Sequence, residues 1–179
     1  IHYNMLSDTP MGGIITTGHS CEDTVNCMQI GMDIAKLLGC NVDRANIQGF
    51  SAGGGVAIQR GNEFSGNYPN VDLEIYLADP YNVKKDSSYI SNVDNLVNND
   101  VPVFILGPSA GSRLDEVTKR FTSQGIDTVL IQTNADHIDL GSIGMNEFFI
   151  GQNVDLSKYY MSVFNSETGS FEAITIEEY

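Results

Sequence analysis

The feature that most constrains the fold is an alternation of short apolar runs with segments of helical periodicity. The apolar runs are rich in β-branched and aliphatic residues, as buried strands are, and lie at 13–17, 73–78, 101–106 and 127–132. A further short strand is expected at 46–48, directly before the turn at residue 51. Strands that are apolar throughout and separated by helices are typical of a parallel sheet covered on both faces. The sequence therefore predicts an α/β fold, with a mostly parallel sheet and helices on both faces.

Start and stop signals frame the predicted helices. One helix is expected between a capping box at Ser20 and a stop at Gly39, and another between a capping box at Ser112 and a stop at Gly125. A shorter helix is expected near 90–97. The helix that follows residue 51 begins with small residues, which lower helix propensity and indicate a close approach to the sheet.

The domain organisation is simple, because no shift in composition marks a linker. The 179 residues are expected to form one domain with a core at about 12–142. Two runs, 159–164 and 171–176, flank turn-like residues and predict a C-terminal antiparallel hairpin within an extension at about 155–179. Because the first residue is Ile1, we expect the chain to be a piece of a longer protein.

Composition limits the classes of partner and cofactor that we expect. Nine Lys and Arg against 23 Asp and Glu give a formal charge of −14, which repels phosphate backbones, so nucleic acid is not an expected partner. Since no run approaches the roughly 18 apolar residues of a membrane span, we expect a soluble chain, cytoplasmic or secreted within a processed longer protein. The three cysteines form no C-x-x-C pair, so no metal or other cofactor is predicted. The oligomeric state is left open.

A G-x-S-x-G pattern at 49–53 lies between a predicted strand and a predicted helix, with Ser51 at its centre. A serine hydroxyl is a weak nucleophile, so it must project from a sharp turn where a histidine can take its proton and N–H groups face the oxyanion. Gly49 and Gly53 flank Ser51 where a Cβ would crowd such a turn. The N–H of Ala52 is the expected first oxyanion donor.

A histidine and a carboxylate must complete such a site. The three histidines are His2, His19 and His137, and His137 lies just past the last predicted core strand, in a segment expected to be a loop. Asp79 ends the strand at 73–78, directly before Pro80, whereas Asp115 is explained as a helix-capping residue. Because sites in parallel sheets form at the carboxyl ends of strands, Ser51, Asp79 and His137 are the preferred set, with Asp115 kept as the alternative acid.

At these residues the chain resembles the α/β-hydrolase family over about residues 12–142. The segment 48–54 is similar to the family's nucleophile elbow, and Ser51, Asp79 and His137 follow its chain order of nucleophile, acid and histidine. The usual acid position, after the next strand, carries no acid here. Pancreatic-type lipases place the acid one strand earlier in a Leu-Asp-Pro context, which residues 78–80 resemble.

A second G-x-S-x-G match at 107–111 centres on Ser109. With Ser109 as the nucleophile, Asp79 would precede the serine and break the family order, so Ser51 is preferred. The resemblance also implies a second oxyanion donor from the loop after an earlier strand. The turns at 12–13 and 18–19 are candidates, but family spacing places the strand at 13–17 beside the elbow strand, so the usual donor loop would lie upstream of Ile1.

The resemblance implies a serine hydrolase that cleaves a carboxylic ester or thioester of a small-molecule or lipid-like acyl substrate through an acyl-enzyme. The short connection after Asp79 leaves no room for a large lid there, which favours an esterase over an interfacially activated lipase. The alternative is a catalytically inactive hydrolase-fold domain that serves as a binding or structural module. Nucleotide binding is disfavoured because the glycine run at 53–55 fits neither dinucleotide nor P-loop patterns.

Overall fold

The computed structural model describes residues 2–6, 14–17, 21–81, 83, 87–108, 114–146, 160–165 and 167–174. Its strands are β1 (His2–Leu6), β2 (Ile14–Thr17), β3 (Arg44–Phe50), β4 (Asp72–Ala78), β5 (Val103–Pro108), β6 (Thr128–Thr133), β7 (Met161–Asn165) and β8 (Ser170–Ile174). Its described α-helices are α1 (Cys21–Leu37), α2 (Gly53–Asn67), α3 (Asp94–Asn98), α4 (Leu114–Ser123) and α5 (His137–Asn146), with a 3-10 turn at Ser87–Ile90. None of these helices is long and apolar enough to span a membrane.

The described strands form one sheet in the order β2-β1-β3-β4-β5-β6-β7-β8. The four central strands, β3 to β6, are parallel to one another. β1 is antiparallel to both β2 and β3, and β7 is antiparallel to both β6 and β8, so six of the eight strands share one direction. The predicted α/β class, with a mostly parallel sheet and a C-terminal hairpin formed by β7 and β8, is confirmed.

The two faces of the sheet are covered unequally. On one face, alternate residues of the central strands pack against α1, α2, α3 and α4 in a single apolar core, which includes Ile47, Ile75, Ile105, Leu130, Met28, Ile58, Leu96 and Phe121. On the other face, α5 lies against β3, β4 and β5 near their carboxyl ends. The fold therefore places α5 over the sheet edge at which the predicted site residues were expected.

The first strands differ from the sequence analysis in one expected neighbour and one unforeseen strand. The strand expected at 13–17 is β2, but it does not lie beside β3, because β1 occupies that place, with Met5 opposite Ala45. β1 then pairs with β2, with Met5 opposite Ile14. The sequence did not indicate β1, because its five residues mix polar His2 and Asn4 with apolar neighbours rather than forming an apolar run.

The predicted stops of two helices agree with the structure. Gly39 (φ 70°) and Gly125 (φ 88°) take the left-handed backbone that ends α1 and α4. Ser20 and Ser112, the expected caps of α1 and α4, lie outside the described residues. The single short helix expected near 90–97 is two pieces, the 3-10 turn and α3.

Candidate active site

Ser51 lies in the tight turn that joins β3 to α2. Its φ of 51° is in the left-handed region, which residues with a side chain rarely adopt. The Ser51 N–H donates to the Ala78 carbonyl at 3.0 Å, and the Ser51 carbonyl accepts from the N–H of Tyr81 at 3.0 Å and of Gly54 at 3.2 Å. These bonds hold a backbone conformation that costs of order 1–3 kcal/mol, and such costs concentrate at functional sites.

The glycines around Ser51 allow α2 to begin directly against the end of β3. A Cβ on Gly49 would lie 2.7 Å from the Gly53 carbonyl oxygen and 2.8 Å from the Ala57 Cβ. A Cβ on Gly54 would lie 2.5 Å from the Cβ of Pro80, in the turn after β4. Gly53 itself is the first residue of α2. The small residues thus permit the close approach to the sheet that the sequence indicated.

Asp79 follows β4 directly, beside the Ser51 turn. Its φ of 39° is also in the left-handed region, and its N–H donates to the Leu106 carbonyl at 2.8 Å. The carboxylate is almost fully buried, and its Oδ2 lies 2.6 Å from Nδ1 of His137. The structure therefore brings together the predicted acid and the predicted histidine.

His137 is the first residue of α5 rather than part of the loop that the sequence predicted. Asp136 caps the helix, because its Oδ1 accepts hydrogen bonds from the N–H groups of Ile138 and Asp139, both at 2.9 Å. Two signals of this helix start were missed in the sequence: Asp136 directly before the helix and Asp139 within its first turn. Placement on a helix fixes the His137 backbone more firmly than a loop would.

Phe50 and Gly141 position His137 from a second direction. The Phe50 and His137 rings lie 4.7 Å apart between centroids and are tilted by 30°. Gly141, one turn further along α5, lies so close to Phe50 that a Cβ there would be 2.9 Å from Cζ of the ring. The imidazole is thus held at Nδ1 by Asp79 and on its face by Phe50. Neither Phe50 nor Gly141 was singled out from the sequence.

The hydrogen bond to Asp79 assigns the proton of neutral His137 to Nδ1 and leaves the lone pair on Nε2. Among the hydrogen bonds of the described residues, none joins Ser51 Oγ to Nε2. Bonds between nucleophile and base are often long before substrate binds and shorten in the complex. Since Phe50 precedes Ser51 and contacts His137, the serine and the histidine nevertheless occupy the same edge of the sheet.

The other candidates lie elsewhere or are not described. Asp115 is in the first turn of α4, where its carboxylate is 3.9 Å from Nζ of Lys119, so it is Asp79 and not Asp115 that contacts His137. Ser109 lies outside the described residues. So do the glycine turns at 12–13 and 18–19 that were candidates for the second oxyanion donor.

The structure describes part of the region in which hydrogen-bond donors to the oxyanion are expected. Ala52, the expected first donor, is exposed and immediately precedes α2, whose N-terminus favours negative charge. β2 ends at the same edge of the sheet, because Thr17 is opposite His2 and His2 is opposite Gln48. Thr17, the last residue of β2, therefore lies towards the side of the sheet where Ser51 lies.

No set of three His, Cys, Asp or Glu side chains converges as metal ligands would, within the ranges that the structure describes. Comparison of the chain with models of protein families, with curated proteins and with solved structures finds no match. A fold by itself does not specify a reaction, so the function has to be argued from the residues of the site.

Proposed function

We propose that the protein is a serine hydrolase that cleaves a carboxylic ester or thioester through an acyl-enzyme. The single observation that carries the proposal is the 2.6 Å contact between buried Asp79 and Nδ1 of His137, beside a serine in a left-handed turn. A buried carboxylate that fixes the imidazole tautomer is what a histidine base requires. The chain order of Ser51, Asp79 and His137, which resembles that of α/β-hydrolases, adds support.

In the acylation step, Nε2 of His137 accepts the Ser51 hydroxyl proton while Oγ attacks the carbonyl carbon of the substrate. The bond to the leaving oxygen or sulfur then breaks, and the imidazolium returns the proton to the leaving group. Water, deprotonated by the same nitrogen, releases the acid and regenerates the hydroxyl. In both steps Asp79 stabilises the imidazolium without itself taking the proton.

The surroundings favour an uncharged, apolar acyl group. Two large exposed side chains flank the site: the aromatic ring of Tyr81, whose N–H binds the Ser51 carbonyl, and aliphatic Ile138, which follows His137. Apolar surface beside a nucleophile stabilises a bound hydrocarbon group, because binding removes both surfaces from water. The chain's formal charge of −14 disfavours anionic substrates.

A second candidate function is a hydrolase-fold domain that binds a ligand or a partner without turnover. It is favoured by one observation, namely that no hydrogen bond joins Ser51 Oγ to His137 among the described residues. A serine that never reaches the imidazole would be inert.

Hydrolysis of p-nitrophenyl butyrate separates the two candidates. We expect turnover by the native chain, loss of turnover to the background rate in Ser51→Ala, and no change in Ser123→Ala, which removes an exposed hydroxyl that donates to the Arg120 carbonyl within α4. Circular dichroism checks that each variant is folded. If the native chain and Ser51→Ala hydrolyse the ester equally, the binding-domain candidate is preferred.

A further inference from the structure

A cavity lies at the amino ends of β3 and β4, on the face of the sheet opposite the apolar core. Its volume is about 100 Å³, and its lining residues are Arg44, Ala45, Asn46, Asp72 and Glu74. Because Ala45 points into the core, its neighbours Arg44 and Asn46 point to the other face. Asp72 and Glu74 are their cross-strand neighbours on β4. The cavity has room for several waters or for one small ligand.

Asn46 provides a buried polar wall of this cavity. The residue is only 9% exposed, and its Oδ1 accepts no hydrogen bond from the residues that the structure describes. A buried polar atom without a partner destabilises a fold, so native structures rarely leave one. Since Asn46 lines the cavity, a molecule bound there can supply the missing donor. This side chain therefore indicates that the cavity binds a ligand.

Glu74 adds an oriented carboxylate beside Asn46. The two residues are opposite each other on β4 and β3, and Oε2 of Glu74 accepts a hydrogen bond from the Tyr76 hydroxyl. Tyr76 in turn stacks on Phe104, with ring centroids 4.9 Å apart. Burial, together with the hydrogen bond to Glu74 and the negative charge of Glu74, raises the pKa of the Tyr76 hydroxyl. Tyr76 therefore stays protonated and holds the Glu74 carboxylate in place.

Arg44 and Asp72 supply opposite charges at the exposed side of the cavity. Their contact is loose, because Arg44 Nε lies 3.7 Å from Asp72 Oδ2 and both side chains are about two-thirds exposed. Exposed pairs of this kind contribute little to stability, so each partner can bind a ligand group at little cost. The guanidinium of Arg44 carries a fork of N–H donors that matches the two oxygens of a carboxylate.

We propose that this cavity binds a small α-amino acid, with its ammonium group on Asn46 and Glu74 and its carboxylate on Arg44. An ammonium group has three N–H donors, and the cavity offers acceptors for them in the side chains of Asn46, Glu74 and Asp72. The strand rise separates Arg44 from Asn46 by about 6.6 Å, so the cation and the acceptors meet different ends of a molecule bound between them. The proposal does not depend on the hydrolase activity, because the cavity lies at the opposite end of the strands from Ser51.

The charges of the lining disfavour other small ligands. The two carboxylates repel an inorganic anion such as phosphate, and the guanidinium of Arg44 repels a divalent metal ion. A zwitterion places a charge of the required sign against each of these groups. Because a zwitterion has no net charge, the overall charge of −14 on the chain does not oppose its binding.

Isothermal titration calorimetry with L-alanine and glycine tests the proposal. We expect L-alanine to bind with a dissociation constant of about 1 mM or less. Propionate lacks the ammonium group of alanine and ethylamine lacks its carboxylate, so each should bind at least about tenfold more weakly. No binding of either amino acid at about 10 mM overturns the proposal, and so does propionate or ethylamine that binds as tightly as L-alanine.

Variants of the lining assign the binding to this cavity. Arg44→Ala should weaken L-alanine binding at least about tenfold, whereas Arg120→Ala, which removes a guanidinium from α4, should leave it unchanged. Asn46→Leu replaces the amide by an apolar group of similar volume, so it should abolish binding without lowering the urea midpoint of unfolding. Because Arg44 is exposed, its variant keeps the fold and tests the proposal independently of Asn46→Leu. L-alanine binding that is unchanged in Arg44→Ala overturns the proposal.

Discussion

At each end of β4 an aspartate contacts a basic side chain from another element, and the two pairs differ in distance, exposure and backbone geometry. At the amino ends, Arg44 Nε lies 3.7 Å from Asp72 Oδ2, with both side chains about two-thirds exposed, at 68% and 65%. At the carboxyl ends, His137 Nδ1 lies 2.6 Å from Asp79 Oδ2, and the Asp79 side chain is only 9% exposed. β4 thus has a largely exposed pair at one end and, at the other, a pair in which the carboxylate is buried and the imidazole is 46% exposed.

The backbone differs between the two ends as well. Arg44 and Asp72 are opposite each other in regular strand geometry, whereas Ser51 and Asp79 are both in the left-handed region. An exposed pair typically contributes about 0–1 kcal/mol, because water and salt screen it. A contact to a buried carboxylate is screened much less by water and salt. The comparison indicates that burial and strain, and not the presence of an ion pair, distinguish the proposed catalytic end of the sheet.

The largest expected difference between the two ends of β4 appears when each aspartate is neutralised in turn. Asp79→Asn should lower kcat for ester hydrolysis by about 10⁴-fold, because the amide no longer fixes the imidazole in the required tautomer. Asp72→Asn, the same change at the amino end, should leave kcat unchanged. Steady-state kinetics of the two variants measure the contrast, and equal losses of kcat in both would contradict it.

The second-largest effect concerns the close packing of Gly49, near the carboxyl end of β3, against the start of α2. Gly49→Ala should lower kcat about 100-fold, because the added Cβ displaces the start of α2 and moves Ser51. Gly39→Ala is the control, since a Cβ there meets no atom within 4 Å and strains only the backbone. We expect that variant to lose about 1–2 kcal/mol of stability and to keep its kcat. Full activity in Gly49→Ala would show that the close contact is unimportant.

The third effect concerns the ring that contacts the histidine. Phe50→Leu should lower kcat about tenfold with little change in KM, because an aromatic pair contributes about 0.5–1.5 kcal/mol and here orients the base. Phe104→Leu is matched to it, since Phe104 stacks on Tyr76 at 4.9 Å, on the same face of the sheet and away from the site. If both variants lose kcat equally, Phe50 acts only through stability.

The smallest effect belongs to the amino-end pair. Arg44→Ala should change the free energy of unfolding by less than about 1 kcal/mol, with no change in kcat, and the change should shrink further at high salt. Urea denaturation at low and high salt measures both quantities. A loss above about 2 kcal/mol would mean that the two pairs are not as different as their exposure indicates.

The sequence was sufficient for those features that depend on neighbouring residues. The apolar runs indicated parallel strands, Gly39 and Gly125 indicated the ends of α1 and α4, and proline after Asp79 marked the end of β4. Asp79 and His137 could be paired before their distance was known, because both follow strands whose carboxyl ends meet at one edge.

Other features depend on contacts between distant parts of the chain. β1 is stabilised by pairing with β2 and β3, and its mixed polarity leaves no local signature. The contact of Phe50 with His137 and Gly141 depends on how α5 lies on the sheet, which no spacing along the chain encodes. The helix start at His137 was encoded locally, in Asp136, but was interpreted as a loop.

Labelling with a fluorophosphonate, followed by peptide mapping, tests the assignment of Ser51 most directly. The serine oxygen displaces fluoride from the phosphorus of the probe only when the serine is activated. The adduct therefore reports the assembled site without any assumption about the substrate. We expect an adduct on the peptide that contains Ser51 in the native chain, slower labelling in Asp79→Asn, and none in Ser51→Ala. A folded native chain that takes no label, or an adduct on Ser109 that persists in Ser51→Ala, would contradict the assignment.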